Sequence, residues 1–368
     1  MIQKEESYFK QLDGVRFVAV ALVLWDHWMG EYNKIPFGAL GVNLFFVLSG
    51  FLITRILLNS KDKYQPQVGG LGVYLKKFYI RRTIRIFPVY YLTIAALFLL
   101  NVPPVRQTWG WCVLYASNIY IALYQRWMGT IDHLWSLAVE EQFYIFFPLT
   151  VFFVPRRHFL KLTAAMIVGS VLLRLYCSLT GVWWGVPYVL MPTCLDAFGL
   201  GGLMAYLFTY QSELYVKIIN QTKYLTMSLL LLILVLFLSK TYTEPHNIMF
   251  NVWERLAASV FGFFFIGKAV LGYGGLAKTI LEHPVSSYLG RISYGIYIYH
   301  NFVYNFYHTT AAHPTLRIIN RMYQYLPALV GSQVFIVLVS LVLTVALASV
   351  SWFLIEKPIN SLKDRFQY

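Results

Sequence analysis

The chain has 368 residues, 58% of them hydrophobic and 18% aromatic, with only 12% charged and a mean hydropathy of +0.58. Soluble domains carry about 25% charged residues, so this composition excludes a large soluble domain and points to a polytopic membrane protein. The net charge of +14 fits basic cytoplasmic loops and anionic lipid or an anionic substrate rather than nucleic acid.

Apolar runs of about 20 residues, the length needed to cross a bilayer, are expected at 12–30, 39–59, 84–101, 135–154, 160–180, 187–209, 225–241, 252–272, 288–308 and 328–355. The expected fold is therefore an all-α integral membrane bundle of about ten helices, one domain over 1–368. The aromatic stretch 106–124 is interrupted by Gly110, Ser117 and Asn118 and is read as re-entrant or interfacial. Basic stretches at 76–85, 155–161 and 356–365 are cytoplasmic by the positive-inside rule, and ten spans with both termini inside satisfy all three. The start, MIQKEESYFK, lacks a signal-peptide pattern, so the first span is expected to be retained. Cys112, Cys177 and Cys194 show no CxxC spacing, so neither a disulfide framework nor a metal site is expected.

The first span carries Asp13, Arg16, Asp26 and His27. Ionisable groups at the centre of a membrane helix are costly and commonly face protein or trapped water. Arg16 and His27 are eleven residues apart, close to three helical turns, so they share a face about 16 Å apart along the axis. That face suits an elongated polar ligand; alternatively both side chains snorkel to the headgroups. The second span, GVNLFFVLSGFLI (41–53), contains Asn43 and Ser49, which serve either substrate binding or interhelical hydrogen bonds. Further on, FYIRRTIRIFPVYYL (78–92) places Arg82 and Arg85 on one face, with Arg81 beside them. Guanidinium groups suit phosphate through paired hydrogen bonds, and the same arginines also serve as a topology signal.

The fourth span opens with IDHLWSLAVEEQFYIFFPL (131–149). Ser136 and Glu140 share a face, and a carboxylate entering from the outer side is placed to orient His27 as a base. His133 is placed to do the same from just outside the span. In LGRISYGIYIYH (289–300), Ser293 and Tyr297 share a face and His300 lies mid-membrane. EKPIN (356–360) closes the last span.

In this order, LDG..R..........H, GV.LFFVLSGFLI, FY.RR..RI.P.Y, LWSL.VEEQFY, SYGIY..H and EKP, the chain resembles the acyltransferase-3 family of membrane O-acyltransferases over 12–360. The resemblance implies transfer of an acyl group, most often acetyl, from cytoplasmic acyl-CoA to a hydroxyl of a glycan or other acceptor. Lipopolysaccharide and exopolysaccharide modification belong to that range, and the expected location is the bacterial inner membrane. Arg16 and His27 match the family's Arg-ten-His motif, Arg82 and Arg85 its RxxR, and Glu140 its SLxVE. Where many members have Asp this chain has Asn43, and Asp26 directly precedes His27; either Asp26 compensates or the position is dispensable.

The resulting expectation assigns His27, Glu140 and Asp26 to catalysis. Arg16, Arg81, Arg82 and Arg85 hold acetyl-CoA, the donor co-substrate, and Asn43, Ser136, His133 and His300 contact the acceptor. No metal and no nucleic acid is expected, and membrane lipids are. No GxSxG elbow is present, which disfavours a serine nucleophile; a covalent acyl-histidine stays open beside direct attack. The alternative is a transporter of acyl groups or lipid-linked sugars, with the same charges forming a permeation path.

Overall fold

The computed structural model describes residues 8–32, 35–65, 67–241, 246–311, 313–323, 325 and 332–366. Three sequence expectations touch residues outside that set: the start at 1–7 and the end of the chain, part of the outer loop 30–38, and the first residues of the span 328–355. Every regular element among the described residues is helical.

The first half comprises α1 (Lys10–Met29), α2 (Phe37–Tyr64), α3 (Gly70–Leu99), α4 (Val105–Val113), α5 (Ser117–Tyr124), α6 (Leu134–Phe153) and α7 (Phe159–Leu179). The second half comprises α8 (Gly185–Val189), α9 (Leu195–Tyr210), α10 (Ser212–Ile219), α11 (Thr222–Thr241), α12 (Arg255–Leu271), α13 (Gly275–Leu281), α14 (Pro284–Arg291), α15 (Ser293–Val303), α16 (Pro314–Tyr323) and α17 (Gln333–Ser351). A π-turn at Trp352–Glu356 carries α17 on toward Ser361.

Among the described residues, six helices are long and apolar enough to cross a membrane, or seven if the bent pair Met249–Leu271 and Gly275–Leu281 counts as one span. That number is lower than the ten expected. The difference has two sources. α1 and α6 have spanning length, 20 residues each, but carry the charged groups that build the site. The expected span 288–308 is broken: α14 ends at Arg291, and the 11-residue α15 ends at Val303. The stretch 106–124 forms two helices of 9 and 8 residues, each too short to span. Both are tied to neighbours: Tyr90 donates to the Cys112 carbonyl at 2.8 Å and Gln142 Nε2 to Asn118 Oδ1 at 2.8 Å.

The centre of the bundle is α2, packed against α1, α9, α6 and α12. Small residues permit this closeness. A Cβ on Gly50 would lie 2.5 Å from the Phe198 carbonyl oxygen, and one on Gly201 would lie 2.2 Å from that of Val47, so the α2 and α9 backbones touch. Beside that contact, Phe198 stacks between Phe46 and Phe143, with centroids at 4.9 and 4.1 Å. A buried ion pair joins α7 to α9: Arg174 Nη1 and Nη2 reach the two Asp196 oxygens at 2.8 and 2.9 Å. Neither partner had a local sequence signature, since each is a lone charge in a different apolar run.

Candidate functional site

Three helix faces, from α2, α3 and α6, and the start of α1 enclose a cavity of about 290 Å³ together with α15. Its polar lining is Arg16, Ser49, Arg82, Arg85, Ser136, Glu140, Glu141, Tyr144, Ser293, Tyr294 and Tyr297. The groups are segregated along its length. Arg16, Arg82 and Arg85 gather at one end; Ser136 and Tyr297 close the other, their hydroxyl oxygens 2.5 Å apart.

The cationic end holds few direct ion pairs among the described residues. Arg16 donates to Asp13, whereas among the described residues neither Arg82 nor Arg85 forms an ion pair with a carboxylate. Arg82 lies over the rings of Phe78 and Tyr144 at 5.7 and 5.4 Å, an arrangement that keeps a guanidinium in place without neutralising it. Arg85 is exposed, and the surface it exposes lines the cavity. Arg81 does not line it. Its Nη1 donates to the carbonyls of Lys363 and Phe366 at 2.9 and 3.1 Å, so it anchors the end of the chain.

Beyond Tyr297 lie three histidines. His27 Nδ1 is 2.7 Å from His300 Nε2, with the ring planes 7° apart. His300 Nδ1 is 2.6 Å from the Tyr297 carbonyl oxygen, which can only accept, so Nδ1 carries the proton. Neutral His300 therefore offers a lone pair at Nε2, and His27 Nδ1 donates to it. This leaves the lone pair of neutral His27 on Nε2. His133 Nε2 meets the Ile298 carbonyl at 3.0 Å and by the same reasoning donates there. His133 and His300 are buried, and His27 keeps part of its surface accessible. Of the three, only His27 is placed to touch a substrate.

The end of α1 is held in register for this contact. The Phe306 amide donates to the His27 carbonyl at 2.9 Å, and the Trp28 indole donates to the Tyr304 carbonyl at 2.7 Å. Both anchors come from the segment that follows α15, so His27 and His300 are fixed against each other from two sides. Asp26 packs against α2 at Gly38, where a Cβ would meet its Oδ2 at 2.7 Å. Across the same mouth, Asp132 pairs with His308 at 2.9 Å.

Besides Arg81, which does not line the cavity, and His133 and His300, which are buried rather than open to an acceptor, two further expected roles change. Glu140 is not the partner of His27: it accepts from Ser49 Oγ at 2.6 Å and faces the cavity with Arg82 and Arg85. The reason is depth. Glu140 is seven residues into the membrane from His133, about 10 Å at helical rise, whereas His27 sits at the level where α6 begins. Asn43 does not reach the main cavity either. It is buried on another face of α2, beside a small cavity shared with Tyr188, Glu254 and Arg255. Ser136 lines the main cavity, and His300 is a partner of His27. Glu141 directly follows Glu140 in the chain. It also lines the cavity, buried, with Oε1 unpartnered among the described residues.

The model of the acyltransferase-3 family, an acyltransferase domain, matches residues 9–352. The chain belongs to that family. A Staphylococcus aureus protein of strain COL named "Putative O-acetyltransferase" is 30% identical over 339 residues, which cover 83% of this chain and 52% of that one. The O-acetyltransferase OatA of Staphylococcus aureus strain NCTC 8325 is 26% identical over 380 residues, covering 96% of this chain and 57% of OatA. The chain thus spans about half the length of these curated relatives. No solved structure matches. In this acyltransferase-3 member the apolar helices make a multi-pass membrane protein, and the motifs read from the sequence, the terminal EKP excepted, contribute residues to the cavity or its two ends. Among the described residues no group of three or more His, Cys, Asp or Glu is arranged to hold a metal ion.

Proposed function

We propose that the protein is a membrane O-acyltransferase that moves an acyl group, most often acetyl, from cytoplasmic acyl-CoA to a hydroxyl of a glycan or another acceptor arriving from the opposite side. The observation that carries this reading is the polarity of one cavity: at one end Arg82 and Arg85, without an ion pair to a carboxylate among the described residues, and just past the other a histidine with its Nε2 lone pair available. The cavity is at the small end of ligand pockets, which run from about 300 Å³, so it suits an extended thioester arm better than a whole nucleotide. The phosphates then stay with Arg82 and Arg85, with Arg16 beside them. Both termini are cytoplasmic in this reading, and the membrane is the bacterial inner membrane.

In the reaction, the acceptor hydroxyl gives its proton to His27 Nε2 as its oxygen attacks the thioester carbonyl. His300 accepts the hydrogen bond from His27 Nδ1–H, which orients the ring and stabilises the positive charge it gains. The tetrahedral intermediate collapses with cleavage of the C–S bond. The CoA thiolate leaves and takes the proton from the imidazolium, which restores neutral His27. The hydroxyls of Ser136 and Tyr297 lie between the cavity and the histidines, bonded to each other and to the His133 carbonyl; turning the proton now given to that carbonyl toward the thioester would supply a donor to its oxygen as it becomes negative.

The decisive experiment supplies purified protein in detergent with acetyl-CoA and a panel of glycan acceptors and measures free CoA. Acceptor-dependent release of CoA supports transfer. The transporter alternative requires that no thioester is cleaved.

A further inference from the structure

Glu141 on α6 lines the main cavity but has no part in the proton transfer to His27. It is 7% exposed, and its Oε1 is buried with no hydrogen-bond partner among the described residues. Glu140 beside it differs, because Ser49 donates to it at 2.6 Å. Arg82 and Glu140 act on Glu141 electrostatically, yet it forms no ion pair among the described residues. A buried acceptor without a donor is destabilising, and native proteins hold few of them. The helix that carries it is held at this level: Gln142, the next residue, donates to the Tyr115 carbonyl and to Asn118 Oδ1 at 2.9 and 2.8 Å. Glu141 stands five residues after Ser136 and three before Tyr144, about 8 and 5 Å along the helix. Ser136 marks the end near the histidines, and Arg82 lies over the Tyr144 ring. Glu141 is thus at a depth between the thioester and the phosphates of a donor seated as described above.

We propose that Glu141 binds the arm of the donor by accepting a hydrogen bond from an amide N–H of that arm. The donor's identity rests on the function proposed above. The chemistry fits the depth: in an acyl-CoA the pantetheine amides fall between the thioester and the phosphates. A carboxyl group accepts from an amide N–H whether ionised or protonated. Other groups of the lining are committed elsewhere. Tyr294 donates to the Ile86 carbonyl at 2.8 Å, and Tyr297 is bonded to Ser136 and to the His133 carbonyl. A thioester without amides would leave Glu141 unpaired, so the same residue selects amide-bearing donors over simple thioesters.

The test uses the full chain in nanodiscs and compares the parent with Glu141→Leu and Glu141→Gln. Binding of CoA and of pantetheine is measured by titration calorimetry, which needs no turnover. Turnover is measured with acetyl-CoA, with acetyl-pantetheine and with S-acetyl-2-mercaptoethanol, a thioester without an amide, each with an acceptor from the glycan panel. Loss of the hydrogen bond should weaken binding of CoA and of pantetheine about ten-fold. Glu141→Leu should raise KM for acetyl-CoA and for acetyl-pantetheine by that factor and leave turnover with the amide-free thioester unchanged. Glu141→Gln keeps an oxygen acceptor and should bind both close to the parent. A second measurement does not depend on the folding of Glu141→Leu: in infrared difference spectra, pantetheine should shift a carboxyl stretching band of the parent that is missing from Glu141→Gln. Parental affinity for pantetheine in Glu141→Leu, equal loss with every thioester, a rise confined to KM for the acceptor, or no shift of a Glu141 band overturns the proposal. If the parent binds pantetheine in a Glu141-dependent way but never cleaves the thioester, the enzymatic reading fails and this one stands. Thioester cleavage indifferent to Glu141 does the reverse.

Discussion

His27 donates from Nδ1 to His300 Nε2 across 2.7 Å, and His300 in turn donates from Nδ1 to the Tyr297 carbonyl at 2.6 Å. A backbone carbonyl at the end of the chain of bonds selects one tautomer for both rings. The task that a carboxylate performs in many catalytic histidine pairs is here given to a second imidazole, buried at the level of the first. Such a partner orients the His27 ring without adding a second full charge to the membrane interior.

If His27 is the general base, His27→Ala should reduce turnover per folded molecule by about 10²- to 10⁴-fold, the usual worth of a positioned base. His300→Gln, which retains an acceptor of similar reach, should cost far less than His300→Ala. The double variant His27→Ala/His300→Ala should be scarcely worse than His27→Ala, because residues acting as one unit are non-additive. Turnover in a double-mutant cycle, normalised to folded protein by size-exclusion chromatography, checks this. Retention of more than about a tenth of parental turnover by His27→Ala, well above the expected loss, would falsify the assignment.

Arg85 lines the cavity with no carboxylate partner among the described residues, so Arg85→Ala should weaken acyl-CoA binding by about 1.5–3 kcal/mol. Folding should be little affected, because no ion pair is broken. Arg82→Lys should rescue only part of the loss of Arg82→Ala, since an ammonium lacks the planar fork and the stacking on Tyr144 at 5.4 Å. Titration of CoA into the purified variants measures both. A normal affinity accompanied by poor folded yield would assign these arginines to topology instead.

The Arg174–Asp196 pair joins two helices away from the lining of the main cavity. Asp196→Asn preserves shape but leaves the fully buried Arg174 without its counter-charge. Removing one partner of a buried pair typically costs about 3–5 kcal/mol. Thermal unfolding in detergent should show a clear loss of stability, with turnover per surviving folded molecule near the parent's.

Topology is open to direct labelling. A Cβ at Gly72 would meet no atom within 4 Å, so Gly72→Cys should fold normally, and the three native cysteines are buried. With the loop before α3 cytoplasmic, an impermeant thiol reagent should label this cysteine only after the cells are opened. Labelling of intact spheroplasts from outside would reverse the orientation and move the donor to the other face.

Sequence alone determined the class of molecule and many of the residues that line its main cavity. Helical periodicity placed Arg16 below His27 and Arg82 beside Arg85, because those relations lie within single helices and follow from 3.6 residues per turn. The all-helical membrane fold followed from composition for a similarly local reason: a bilayer interior leaves few ways to satisfy backbone hydrogen bonds. Helix number was less legible. α1, α6 and α15 are the elements that carry ionisable groups or breaks, and a site-building helix departs from the uniform apolarity by which spans are recognised. Partnerships between helices were decided only by the tertiary structure. His300 lies 273 residues from His27, and Ser49 lies 91 residues from Glu140. Which carboxylate or imidazole meets which depends on the relative depth and rotation of helices. Those are set by contacts such as Gly50 against Phe198 and Trp28 against Tyr304, which couple distant segments and leave no periodic trace in either one.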